Sequence, residues 1–170
     1  MFKDNANKVH ANSNIGQIKM SNLCTEIMQL QETSIINDYE TPDEIKRDIS
    51  CNLGSLNIVN VMESNKLKES VYTGMDALTA VSDESNLKFA PGVKKANNEL
   101  HSVGLGVMGL NGYLAKNKIQ YESEEAKDFA NIFFMMMNYY SIERSMQIAR
   151  ERGETYKDFE KSAYADGSYF

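Results

Sequence analysis

The sequence predicts an α/β fold, and three observations carry the prediction. Ser55–Val61 is rich in aliphatic and β-branched residues and reads as a strand. Glu124–Arg152 reads as one long helix, with an apolar stripe at helical spacing and readable ends. Strand-like and helix-like segments also alternate along the chain instead of falling into separate blocks, which is the pattern of α/β architecture.

Taken in order, the chain opens on about twenty polar residues. "GQIKMSNLCTEIMQL" reads as extended, with Ile18, Met20, Leu23 and Ile27 as its apolar members. "QETSIINDYETPDEIKRD" is a polar excursion containing Pro42 and is expected to be a surface loop. In the strand candidate Ser55–Val61 the apolar residues are Leu56, Ile58, Val59 and Val61. Val71, Met75, Leu78 and Val81 then recur at helical spacing in "NKLKESVYTGMDALTAVSDESN". "FAPGVKKANNELHS" opens with Pro91-Gly92, a turn pair, and "VGLGVMGLNGYLAKN" is a glycine-rich apolar segment leading into a short helix.

The long helix has readable ends. Ser123 suits the N-cap, Glu124 and Glu125 place anions in the first turn, and Gly153 follows two arginines as a stop signal. Phe129, Phe133, Met136, Met137 and Tyr140 share one stripe. The stretch "IFFMMM" is apolar nearly all round, so the helix is expected to be covered on more than one side. "RERGETYKDFEKS" reads as a solvated helix end and loop, and no internal repeat interrupts the pattern.

Composition narrows the function classes. With 42% hydrophobic and 25% charged residues over 170 positions, the chain can bury a sizeable core. A net charge of −6 argues against coating nucleic acid, which needs clustered Lys and Arg. No apolar run approaches the roughly 18 residues of a membrane helix, and "MFKDNANKVHANSN" lacks the apolar core of a secretory signal. Two cysteines in such a chain read as reduced thiols of the cytoplasm. Ten methionines and no tryptophan make an adaptable core, and the run Met135–Met137 belongs to it.

Several features invite a site. "GLGVMG", Gly104–Gly109, fits neither the dinucleotide fingerprint nor the phosphate loop, and reads as a strand where backbones approach closely. His10, His101, Cys24 and Cys51 lack the clustered spacing of a zinc module, so no metal is expected. "SNLCTEI" is different, because Asn22 and Glu26 flank Cys24 at every second position. On a helix Cys24 would point away from both. On an extended chain the three share a side, and a turn could also bring them together. Spacing alone leaves two readings open: an inert buried thiol, or a reactive thiol facing a polyhydroxylated substrate.

"SNLCTEI" followed by "SCNLGSLNI" closely resembles the large, catalytic subunit of class I ribonucleotide reductase. "HSVGLGVMGLNGYLAKNKIQYESEEAKDFANIFF" and "SMQIARERGETYKDFEKS" resemble the same subunit, especially its class Ib branch. The resemblance covers essentially the whole chain; it departs at Gly109 and Asn111, where a bulkier or polar residue and a histidine are expected. It implies that residues 1–170 are a fragment of the catalytic barrel domain, part of a ten-stranded α/β barrel with long flanking helices and no separate second domain.

The same resemblance implies the chemistry. Cys24 is then the radical cysteine that removes the 3′ hydrogen of a ribonucleoside diphosphate. Glu26 is the base for the 3′-hydroxyl proton, and Asn22 orients the ribose hydroxyls. Ser21, Asn22, Leu23, Cys24, Thr25 and Glu26 form the substrate-facing loop, and Cys51 is one of two reducing cysteines. No cofactor is implied on this chain. The radical comes from a dimetal small subunit, and electrons come from a thioredoxin- or glutaredoxin-type dithiol. The partners implied are the remaining segments of the large subunit, that small subunit, the substrate and the reductant, with neither nucleic acid nor membrane, in the cytoplasm. The second reducing cysteine has no candidate here, and Tyr139, Tyr140 and Tyr169 do not match the family's radical-relay tyrosines, so the fragment is expected to be inactive alone. Two alternatives are a fragment of an adenosylcobalamin-dependent reductase and a non-catalytic assembly protein that kept the fold.

Overall fold

The computed structural model describes residues 3–169. In chain order the elements are α1 (Lys3–Val9), β1 (Asn52–Asn57), α2 (Ile58–Ser64), α3 (Leu67–Glu84), α4 (Pro91–Leu100), β2 (Val103–Met108), α5 (Leu110–Lys116), α6 (Glu124–Arg152) and a 3-10 turn, Phe159–Lys161. The α/β expectation holds. The chain packs as two compact units: one gathers the described residues of Met1–Cys51, Ser85–Ser102 and Thr155–Phe170, the other Asn52–Glu84 and Val103–Glu154.

The second unit is built on a parallel pair. β1 and β2 lie side by side in register from Asn52↔Val103 to Asn57↔Met108. Among the described residues this pair is the whole sheet, and both of its edges are open. α3 packs against both strands and against α6. The buried core is Ile58, Val61, Val71, Met75, Phe133 and Met137. Gly74 lets α3 approach this closely, since a Cβ there would sit 2.9 Å from Leu105 Cδ1.

The strand starts and stops earlier than the sequence suggests. Ile58 and Val59 look like strand residues, but the Asn57 side chain accepts the Asn60 N–H and caps a helix. Burial of Ile58 and Val61 on that helix outweighs their β preference. α3 buries Val71, Met75 and Leu78 as predicted; Val81 faces out, and Ser82 takes the inner position. Pro91-Gly92 is not a turn, because Pro91 occupies the first turn of α4, where its missing N–H costs nothing.

"GLGVMG" is strand β2, as expected, and Gly109 lies just past it at φ +86. That left-handed conformation at the N-cap of α5 explains the glycine where the family resemblance suggests a larger residue. α6 runs between the predicted ends, with Ser123 accepting the Ala126 N–H and Gly153 at φ 70. Its expected cover on several sides is absent within this unit. Phe133 and Met137 are buried, while Ile132, Met135 and Tyr139 remain more than half exposed, because the unit supplies neighbours to one face only.

The first unit has little regular structure and is held by specific hydrogen bonds. The Asn7 amide grips the backbone of Ile18 at both ends, accepting its N–H at 2.7 Å and donating to its carbonyl at 2.9 Å. The polar excursion is a loop that pairs with itself: Ile35 and Glu44 exchange backbone hydrogen bonds, and Glu32 N–H donates to the Arg47 carbonyl. Arg47 is buried between Glu32 and Glu99, each 3.5 Å away. The tail closes the unit through Lys157 N–H to the Glu99 carbonyl and Ala163 N–H to the Ala11 carbonyl, both 2.8 Å. Among the described residues, no helix is long and apolar enough to cross a membrane.

Candidate functional site

Asn22, Cys24, Glu26 and Cys51 all belong to the first unit. The segment carrying the first three is extended on both sides of a tight turn. Thr25 N–H donates to the Asn22 carbonyl at 3.1 Å, and Thr25 sits at φ 65. A β-branched residue in that left-handed region costs about 1–3 kcal/mol, so the flanking contacts must hold it. Part of that hold is the Asn22 side chain, whose Oδ1 accepts the Ile27 N–H at 3.0 Å. Ser21 Oγ adds a bond to the Asn22 carbonyl.

The turn decides what each side chain presents. Because Oδ1 of Asn22 faces Ile27 N–H, the amide orientation is fixed and the two Nδ2 hydrogens are left as donors. Leu23, Cys24, Thr25 and Glu26 are exposed, Leu23 almost completely at 97%. The sequence offered an extended strand or a turn for this motif, and the chain takes the turn. Cys24 stands at its tip, open to solvent, so the enclosure that a sulfur radical requires is not supplied by this chain.

Cys51 lies elsewhere in the same unit and is half-buried. Burial pushes its thiol pKa up, and the nearby Glu26 carboxylate pushes it further the same way. The consequence is chemical: at neutral pH Cys51 keeps its proton, as a hydrogen-donating thiol and not a nucleophilic thiolate. The inert-thiol reading of Cys24 required burial, and Cys24 is not buried.

Sequence reasoning missed the residues that anchor the backbone next to Cys51. Gln29, in "IMQL", donates from Nε2 to the Ser50 carbonyl at 3.0 Å, next to Cys51. Ser50 Oγ in turn donates to Asn97 Oδ1 on α4 at 3.3 Å. The available signal was a polar residue between Met28 and Leu30, where an extended apolar segment had no need of one. Among the described residues no three His, Cys, Asp or Glu side chains gather as metal ligands would.

Comparison with known proteins gives a consistent picture. A sequence model of the family "Ribonucleotide reductase, barrel domain" matches residues 1–170. The ribonucleoside-diphosphate reductase subunit alpha of Bacillus subtilis is 55% identical over 170 residues, which cover 100% of this chain and 24% of that protein. The subunit of the same name from Mycoplasma genitalium is 46% identical over 171 residues, covering 100% of this chain and 23% of the relative. The solved structure of the Actinobacillus ureae class Id ribonucleotide reductase alpha subunit matches with a TM-score of 0.74 at 25% identity, over 91% of this chain and 29% of that one. The chain spans about a quarter of the length of these curated relatives.

Proposed function

Since the chain belongs to the ribonucleotide reductase barrel family, we propose that it is the segment of a class I catalytic subunit that carries the radical cysteine and one reducing cysteine. The observation that carries the reading is the motif turn: Asn22, Cys24 and Glu26 stand on one loop, and Cys51 belongs to the same compact unit. Both units are then parts of one catalytic barrel domain, completed by the remaining segments of the subunit, in the cytoplasm. The relatives' designation as alpha subunits favours a separate radical-generating small subunit over adenosylcobalamin.

In this reading the substrate is a ribonucleoside diphosphate. The Cys24 sulfur radical takes the 3′ hydrogen atom and becomes a thiol, leaving a carbon radical at C3′. Glu26 accepts the 3′-hydroxyl proton as general base, while the Nδ2 hydrogens of Asn22 hold the ribose hydroxyls. The 2′-hydroxyl leaves as water, with a proton from the reducing thiols. Cys51 and its partner supply two electrons and become a disulfide. The second thiol hydrogen goes to C2′, Glu26 returns its proton to the 3′ oxygen, and Cys24 returns its hydrogen atom to C3′ and is a radical again. An external dithiol of the thioredoxin or glutaredoxin type resets the disulfide by exchange.

Reconstitution with the complementary segments and a small subunit tests this. Cys24→Ser should abolish deoxyribonucleotide formation, because a hydroxyl does not carry the radical. Glu26→Gln should bind substrate and turn over far more slowly, since the base is lost with little change in shape. Substantial turnover by Cys24→Ser would remove the radical role from this residue.

A further inference from the structure

Among the described residues, Thr25, Asn65, His101, Lys118 and Asp158 are the non-glycine residues at positive φ. Helix ends account for all of them but Thr25. Asn65 and His101 are the C-caps of α2 and α4, Lys118 follows the C-cap of α5, and Asp158 caps the 3-10 turn. Thr25 ends no helix. It is also the one β-branched residue of the set, the type for which this region is a genuine outlier. It stands one peptide bond from Cys24 and one from Glu26. Asn22 braces it from both sides: the Asn22 carbonyl accepts the Thr25 N–H at 3.1 Å, and Asn22 Oδ1 accepts the Ile27 N–H at 3.0 Å. The Thr25 side chain is exposed, so the conformation is imposed through the backbone.

Resting on the reading of Cys24 as radical carrier and Glu26 as base, we propose that Thr25 is a positioning residue that acts through its left-handed backbone and not through its hydroxyl. In that reading the two reactive groups work on neighbouring atoms of one ribose: the sulfur radical on the hydrogen at C3′, the carboxylate on the proton of the 3′ oxygen. Thr25 is the only residue between them, so its backbone angles set the direction and separation of one side chain relative to the other. In a fully extended segment the two α-carbons would stand about 7 Å apart with their side chains parallel. The positive φ takes the pair out of that arrangement and into the turn. An outlier held in place by two hydrogen bonds, between the two reacting residues, is where stored backbone strain serves a site.

The test separates handedness from side chain. The Ser50–Cys51 junction permits ligation of a synthetic 1–50 segment to residues 51–170, so position 25 can carry L- or D-alanine in the otherwise full chain. Thr25→Ala keeps the handedness of the parent, whereas D-alanine has the same side chain and prefers positive φ. Ile27 amide exchange, read by NMR, should be about fivefold or more slower with D-alanine than in Thr25→Ala, the factor that handedness alone supplies. Thr25→Gly, which reaches positive φ without a Cβ, should fall between them. In the assembled enzyme kcat should be higher with D-alanine than in Thr25→Ala, with KM nearly the same for both. Equal Ile27 exchange in the two alanine chains would overturn the conformational claim without any turnover. Equal kcat, or a higher kcat for Thr25→Ala, would overturn the positioning role while leaving the radical role of Cys24 untouched. An unsubstituted assembly that forms no deoxyribonucleotide would remove the functional reading itself, and the positioning role with it.

Discussion

In an Asn22→Ala variant the Ile27 N–H loses its acceptor, which lies 3.0 Å away on Asn22 Oδ1. The Asn22 carbonyl remains, so the 3.1 Å bond from Thr25 N–H survives. A net hydrogen bond in part-buried surroundings contributes about 1 kcal/mol, which corresponds to about a fivefold change in a local opening constant. Asn22→Asp supplies the comparison. It keeps an acceptor oxygen for Ile27 but lacks the two Nδ2 hydrogens. Amide hydrogen exchange read by NMR should show Ile27 about fivefold faster in Asn22→Ala and close to the parent in Asn22→Asp, with Thr25 little changed in both. In a reconstituted enzyme both variants should lose turnover, because both lack the amide donors to the ribose. Unchanged Ile27 exchange in Asn22→Ala would refute the reasoning, since Asn22 would then not be bracing the turn. Normal turnover by Asn22→Asp would refute the donor role separately.

The exposed apolar surface of α6, including Ile132, Met135 and Tyr139, should make the isolated chain self-associate with rising concentration, and Met135→Glu should weaken that association. A monodisperse compact monomer in sedimentation would contradict it. The isolated chain should also show no ribonucleotide reduction, because Cys24 is open to water; steady deoxyribonucleotide formation by the purified chain would contradict this. Tyr164 carries a pH signature, because burial is the main cause pushing its phenol to about 12. Below about 10, the ordinary tyrosine value, the phenol is protonated in both folded and unfolded chains and costs no stability. Between the two values the unfolded chain ionises while the folded one holds its proton, so the melting temperature should fall across that window. Tyr164→Phe should flatten the fall, and an equal fall in both proteins would assign it to other groups.

The legible parts of the fold were those decided locally. α6 carries its own start and stop in Ser123 and Gly153, and its bounds were readable without any neighbour. β1 was misplaced because Ile58 and Val59 have strand chemistry, while the deciding facts, the Asn57 cap and the burial of Ile58, are a local competition and a tertiary one. α4 was missed because Pro followed by Gly serves a turn and a first helical turn equally well. At the site, "SNLCTEI" named its residues by resemblance, but not its shape, since periodicity is silent on a left-handed Thr25. The Gln29–Ser50 hydrogen bond joins residues far apart in the sequence, and nothing in either local pattern announces the other.

The central claim is that the two cysteines play different parts in one reaction, and a single turnover without external reductant tests it most directly. The assembled enzyme would be quenched after one turnover and its peptides mapped under non-reducing conditions. The chain contains two cysteines, so Cys51 should appear in a disulfide with a cysteine of another segment or polypeptide, one whose Cα can come within about 6 Å. Cys24 should be recovered as a free thiol, having regained its hydrogen atom. A Cys24–Cys51 disulfide as the main product would contradict the assignment, because it would make the supposed radical carrier one of the reducing pair.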